Sequence, residues 1–183
     1  IIENERGSIL WSKASGLPLS WKAAGRELFA QPPRLHFWRA PTDNDRVFKL
    51  KWKDMAYAYH RLLWRPSKVA VAESGERLSV VEVEGFLAPP ARLPSFKIHQ
   101  RFSFYGDGEV KIENRMEPLG KDMPSIPRFG LEMHLTAGHE KVSWFGYGPH
   151  DNYRDMRLSA RRGWWNAEVD DFYVPFVKPQ EHG

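Results

Sequence analysis

Asp43, Asn44 and Asp45 place three oxygen-bearing side chains in a row inside FWRAPTDND, Phe37 to Asp45. Carboxylate and amide oxygens are the ligands that calcium and magnesium take. The EF-hand pattern D-x-[DN]-x-[DN]-G is absent around them, and no glutamate stands where it would chelate. A local chemistry competes: the carboxylates accept backbone N–H groups in an Asx-type turn after Pro41, and Arg39 pairs with one of them. That reading is preferred, and no metal is assigned.

Seven histidines raise the question of zinc, yet none shows H-x-x-x-H or H-E-x-x-H spacing. Eight tryptophans are many for the length, and an aromatic face can stack on a sugar ring. Trp144, Trp164 and Trp165 are therefore candidates for carbohydrate contact, against the commoner fate of burial in a core or interface. Glycoside hydrolysis needs two carboxyls about 5–10 Å apart. The acids are abundant, but none stands in a context that reads as the end of a barrel strand. No G-x-S-x-G, Walker or Rossmann motif occurs.

The elements that would position these groups are strands. In SFKIHQRFSFY, Phe96, Ile98, Phe102 and Phe104 share one parity, while Lys97, His99, Arg101 and Ser103 take the other. Such alternation buries one face and wets the other. Gly106 to Gly108 supply a tight turn into Val110, Ile112 and Met116, which alternate with charged residues, so an antiparallel hairpin is expected. RFGLEMHLT repeats the pattern, with Phe129, Leu131, Met133 and Leu135 expected inward and Glu132, His134 and Thr136 outward. KVSWFGYG, SKVAVAES and ERLSVVEVEG read as further strands, and SILWS and LPLSWKA as a hairpin around KASG. Only Asp54 to Leu63 shows helical spacing, with Asp54 as its cap. The proline-rich stretches Phe86 to Pro94 and Gly120 to Pro127 are loops between strands.

The 183 residues suffice for one domain with a substantial core, and 42% apolar with 27% charged residues is an ordinary globular mixture. No apolar run approaches the roughly 18 residues of a membrane helix. The start, IIENERGSIL, has no signal-peptide layout, and the chain is expected to be cut from a longer polypeptide. Cysteine is absent, which excludes disulfides and suits a cytoplasmic location. The formal charge of +4 invites a nucleic-acid reading. The basic residues, however, are scattered among acidic neighbours, and no nucleic-acid motif appears, so neither nucleic acid nor membrane is expected as a partner.

Three blocks occur in order: FWRAPTDND (37–45), WFGYGPHDNYRDMR (144–157) and YVPFVKPQEHG (173–183). Together they resemble the C-terminal domain of the large β-galactosidases of glycoside hydrolase family 2. That family carries R-A-P-x-D-N-D, then G-x-G-P-x-E-N-Y-x-D-R, then Y-x-x-P-Q-E-N-G. Arg39, Pro41, Asp43, Asn44 and Asp45 match the first block. Gly146, Gly148, Pro149, Asn152, Tyr153 and Asp155 match the second, and Pro179, Gln180, Glu181 and Gly183 the third. Asp151 stands for the usual Glu, Met156 intervenes before Arg157, and His182 replaces the usual Asn.

The resemblance implies an all-β fold, an antiparallel β-supersandwich like that of galactose mutarotases, with one short helix near 54–63. It implies that residues 1–183 form a single β-sandwich domain that is an incomplete piece of the family's C-terminal domain. It makes Arg39, Asp43, Asn44, Asp45, Asn152, Tyr153, Asp155, Gln180 and Glu181 a structural or domain-interface set, with no catalytic residue in this chain. The tryptophan that the family's domain lends to the galactose site lies beyond the third block and is not carried onto any tryptophan here. The implied role is a noncatalytic domain supporting the barrel and the rim of the sugar pocket, and the parent enzyme hydrolyses terminal β-D-galactosides with retention. The expected partners are the rest of that β-galactosidase and, through it, β-galactosides; self-association of the chain is expected as well. No cofactor is expected in this chain, while the resemblance implies magnesium or sodium for the parent. The alternatives are a self-standing carbohydrate-binding module and a mutarotase-like aldose epimerase.

Overall fold

Short turns thread most of the strands into antiparallel neighbours. In a computed structural model of the chain, residues 1–54, 56–150, 152 and 157–173 are described, the side chain of Asp43 excepted. Strands β1 (Ile2–Asn4), β2 (Gly7–Ser12), β3 (Leu17–Ala23) and β4 (Arg26–Glu27) form a four-stranded meander. β5 (Phe29–His36) follows, then the one α-helix among the described residues, α1 (Phe48–Lys53). β6 (Leu63–Ser74), β7 (Leu78–Ala88), β8 (Phe96–Tyr105) and β9 (Val110–Pro118) form a second four-stranded sheet. β10 (Gly130–Leu135) returns to pair with β5, and β11 (Lys141–Gly148) pairs with β12 (Arg161–Glu168). The all-β antiparallel class is therefore as expected. No described helix is long and apolar enough to cross a membrane. The chain divides into two compact units, residues 1–39 with 47–135 and residues 40–46 with 136–183.

The expected β8–β9 hairpin is present. Gly108 takes φ +92°, a left-handed value that glycine adopts without a Cβ clash, and its N–H donates to the Tyr105 carbonyl at 3.0 Å. One face of the β6–β9 sheet is the core of the first unit. Phe96, Ile98, Phe102 and Phe104 are all buried there, together with Val81, Val83 and Leu87. Burying each such side chain contributes about 1.5–3 kcal/mol. One cluster gathers Phe37, Trp52, Tyr59, Leu87, Phe96 and Ile98; a second gathers Ile9, Val81, Val83, Phe102 and Phe104. Trp64 packs against both. Gln100 shares the inward parity, is 3% exposed, and donates from Nε2 to Asn114 Oδ1 at 2.8 Å. The opposite face is charged and mixed in sign: Arg101 pairs with Glu82, and Lys68 and Lys97 share Glu84 at 3.7 and 3.6 Å.

Two expectations need correction. The single short helix is present, but at Phe48–Lys53 instead of 54–63. Asp54 ends it: its ψ is 138°, its N–H closes the last turn on Leu50, and its Oδ1 accepts the Ala56 N–H at 2.8 Å. Beyond it the Tyr57 and Tyr59 hydroxyls donate to the Asp122 and Pro124 carbonyls. Met55 lies outside the described residues. The second correction concerns β10. Phe129, Met133 and Leu135, expected inward, are 40%, 42% and 47% exposed. Among the described residues β10 pairs only with β5, and its register breaks on both sides of His134, so its apolar parity does not keep a covered face.

Candidate functional site

Arg39 belongs to a set of four side-chain donors that hold one proline-rich loop. Tyr57 Oη donates to the Asp122 carbonyl at 3.2 Å and Tyr59 Oη to the Pro124 carbonyl at 3.0 Å. Trp52 Nε1 donates to the Ser125 carbonyl at 2.7 Å, and Arg39 Nε to the Pro127 carbonyl at 3.0 Å. Proline has no N–H, so such a loop cannot satisfy its carbonyls in a ladder of its own, and buried carbonyls need partners. The aromatic rings that bring these donors also fill the core. Trp52 and Tyr59 are each 2% exposed, and burial pushes the Tyr59 hydroxyl up to about 12, with the neighbouring Tyr57 adding to it. The Arg39 guanidinium lies 5.5 Å from the centre of the Trp52 ring. The aromatics of the opening motif thus pack below while its arginine ties down a loop.

Arg39→Ala removes a charged donor and a cation–π contact and strands the Pro127 carbonyl. The expected loss is about 2 kcal/mol. Urea unfolding followed by tryptophan emission measures it; an unchanged midpoint would mean that the guanidinium is merely solvated.

Asp43–Asp45 form a single 3₁₀ turn. The Asp45 carboxylate, 7% exposed, turns back on the chain: its Oδ2 accepts the Thr42 N–H at 2.7 Å and the Thr42 hydroxyl at 3.0 Å. Asn44 is exposed on the same turn. Among the described residues no group of three or more His, Asp or Glu side chains comes together to hold an ion.

The tryptophans divide between two faces of the β11–β12 hairpin. Trp144 stands opposite Trp165, and Phe145 opposite Trp164. Directly opposed residues of an antiparallel pair share a face. On the first face both indoles donate to backbone: Trp144 to the Tyr147 carbonyl and Trp165 to the Gly146 carbonyl, each at 3.1 Å. Trp165 lies so close to Gly148 that a Cβ there would sit 2.8 Å from the indole. The glycines of GYG are thus the room in which the indoles lie down. On the second face Trp164 is 74% and Phe145 55% exposed, with ring centres 5.5 Å apart. Arg162 stands 5.3 Å over Phe145, and Arg157 5.1 Å over Tyr147. The Arg157 guanidinium beside the Tyr147 hydroxyl lowers its pKa. An aromatic surface flanked by arginines can take a sugar ring or an apolar, acidic protein segment.

Of the motif residues matched by resemblance, Asn152 is exposed outside regular structure. Tyr153, Asp155, Gln180 and Glu181 lie outside the described residues, as does the Asp43 side chain.

One cluster was not singled out from the sequence. Across β5 and β10, Glu132 Oε1 accepts from Arg34 at 2.9 Å and meets His134 Nε2 at 2.6 Å, while Oε2 lies 3.5 Å from His36 Nε2. Arg34 above all, then His134, holds the Glu132 carboxyl below its usual range against the opposing effect of burial. Burial lowers the His36 pKa and outweighs the pull of Glu132. Matched parity in RLH and LEMH was the available signal, but the β5–β10 pairing that joins them spans most of the chain.

Residues 3–183 match the family model described as the β-galactosidase small chain. Among similar proteins is the β-galactosidase of Actinobacillus pleuropneumoniae, 31% identical over 188 residues, which takes in 100% of this chain and 18% of that protein. The β-galactosidase of Halalkalibacterium halodurans is 31% identical over 191 residues with the same shares. That of Priestia megaterium is 32% identical over 174 residues, 95% of this chain and 16% of the relative. The chain thus spans about a fifth of the length of the curated relatives it matches.

Proposed function

The chain belongs to the β-galactosidase small chain family, and on that premise we propose that it is a noncatalytic domain of a β-galactosidase. Its parent hydrolyses terminal β-D-galactosides with retention, through a galactosyl-enzyme intermediate formed and resolved by two carboxyl groups. Those groups belong to a barrel elsewhere in the parent, and this domain buttresses the barrel and shapes the rim of its pocket. The observation that carries the reading is a family match along nearly the whole chain, at under a fifth of the relatives' length. Three of the described acids are consistent with it. A general acid for glycoside cleavage needs a raised pKa. Among the described residues, the three carboxyls with a resolved shift all move down. In Glu27 burial is outweighed by hydrogen bonds from Ser20 and the Trp21 and Phe29 N–H groups; Glu132 is lowered by Arg34, and Glu140 by the Gly138 N–H.

The partner is the rest of the parent polypeptide, and the β11–β12 face bearing Trp164 and Phe145 is the surface offered to it. Separated from that cover, the chain associates with itself. A cytoplasmic location is part of this proposal; the absence of cysteine from this chain is compatible with it. The purified chain is expected to leave a chromogenic β-galactoside intact and to restore turnover when mixed with the remainder of its parent. Turnover by the chain alone, abolished by substituting one of its own acids, would overturn the reading. The same exposed aromatic face favours a second reading, a self-standing carbohydrate-binding module. It requires saturable chemical-shift changes in the Trp164 indole on adding galactose or lactose, and their absence at high millimolar sugar rejects it.

A further inference from the structure

The two edges of the β6–β9 sheet are built differently. β6 carries Pro66 in its interior, and its register against β7 shifts between Pro66 and Lys68 and again between Val71 and Glu73. Proline and bulges are two of the devices that keep a neighbouring chain off an edge. β9 has neither device along its length. It runs in unbroken register against β8 from Phe104↔Val110 to Phe96↔Pro118, and its proline is the last residue. Among the described residues no strand pairs with its other side.

The direction of the β9 backbone groups follows from the hydrogen bonds at its two ends. Tyr105 N–H donates to the Glu109 carbonyl, and Leu119 N–H to the Ser95 carbonyl. Backbone groups of alternate residues in an antiparallel strand face opposite neighbours. Glu109 and Leu119 face β8, and so do the odd-numbered residues between them. The N–H and C=O groups of Val110, Ile112, Asn114 and Met116 therefore face the open edge.

The β9 sequence, VKIENRMEP, is complementary to itself when reversed about Asn114. Lys111 then meets Glu117, Glu113 meets Arg115, Ile112 meets Met116, Val110 meets Pro118, and Asn114 meets Asn114. We propose that β9 is a dimerisation edge, pairing antiparallel with β9 of a second copy about a two-fold axis through Asn114. The pairing joins two four-stranded sheets into one continuous sheet. Every charged residue of the strand meets an opposite charge, and Ile112 and Met116 meet on the apolar face. Val110 N–H reaches the Pro118 carbonyl, where the missing proline N–H costs one bond. The register is selective. Moving the axis to Glu113 sets Glu113 against itself and Lys111 against Arg115. Moving it to Arg115 sets Arg115 against itself and Glu113 against Glu117. An axis between two residues puts charged side chains opposite apolar ones. The charges are available for exchange: Lys111–Glu113 at 2.8 Å and Arg115–Glu117 at 3.0 Å are exposed pairs within the strand, of the kind that contributes little where it stands.

This inference deepens the self-association part of the reading above and is independent of galactosidase activity. Sedimentation equilibrium of the chain is expected to show a monomer–dimer equilibrium. Glu113→Arg places arginine against the partner's Arg115 twice across the axis, and should weaken the dimer by about tenfold or more. The swap E113R/R115E restores opposite charges and should return the dissociation constant to within about threefold of the parent value. Because the swap contains the single change, its recovery also excludes misfolding as the cause of the loss. A chain that stays monomeric, a dimer indifferent to Glu113→Arg, or a swap that fails to recover would each overturn the proposal. Loss of complementation with the dimer intact would count against the β-galactosidase reading alone; a monomer that still complements would count against the dimer alone.

Discussion

Phe96→Ala is expected to cost about 3–5 kcal/mol, enough to consume a large part of the stability of a domain of this size. Phe96 is 1% exposed, on the inner face of β8. Its ring stacks on Phe37 at 5.6 Å and meets Tyr59, tilted, at the same distance. It therefore joins three separate parts of the sequence: the strand, the Phe37 motif, and the segment whose tyrosine holds the proline-rich loop. Alanine leaves a cavity that none of these can close without moving a backbone that others anchor, because Tyr59 is tied to Pro124 and Trp52 to Ser125. Urea unfolding read by tryptophan emission gives the value. A loss below about 1 kcal/mol would mean that the cluster collapses freely and that Phe96 is not its centre.

Gly85→Val is expected to cost about 3 kcal/mol, the upper end of what overpacking does. The position looks innocuous in sequence, a glycine inside a strand of valines. In the fold the Trp64 ring lies across it: a Cβ at Gly85 would come 2.4 and 2.7 Å from two carbons of that ring and 2.6 Å from the Arg65 carbonyl oxygen. Real Cβ contacts essentially never fall under 3.0 Å. The indole cannot swing away cheaply, since its Nε1 donates to the Ser15 carbonyl at 2.9 Å and it is the side chain shared by both core clusters. Backbone must shift as well, because one of the colliding atoms belongs to β6. A double-mutant cycle with Trp64→Phe separates the two collisions: the smaller ring should recover part of the loss, while the part due to the Arg65 carbonyl remains. Full tolerance of valine at position 85 would show that β6 and β7 can part without penalty.

Alternation made the strands legible. Phe96, Ile98, Phe102 and Phe104 had only to share a parity for β8 to be placed and its buried face named, because the period of a strand is a local property of the backbone. The turn at Gly108 was legible for the same reason. The apolar positions in and just before β10 were misassigned by the same rule. Parity says which residues share a face, but what covers that face depends on strands distant in sequence, and Phe129, Met133 and Leu135 stand partly exposed. The helix was misplaced because Asp54 can open a helix or close one, and the choice went to the geometry that lets Tyr57 and Tyr59 reach the loop at 122–124. The tryptophan candidates were named with no division among them. Only the pairing of Trp144 with Trp165 separates two indoles that bond to backbone from Trp164, which faces outward.

By itself the sequence determined the all-β class, the order of the hairpins and, through three spaced motifs, the family. Each of these is carried by neighbours along the chain: side-chain period, turn residues, and blocks whose order survives change between them. Tertiary structure alone decided the partners. Arg39 and Trp52 find their acceptors about eighty residues away, Glu132 finds Arg34 and His36 across a strand pair, and the edge of β9 is open because of where β8 lies and what does not follow on its other side among the described residues. A contact between distant residues is chosen by the closure of the whole chain, and no local pattern encodes which carbonyl a buried indole will reach.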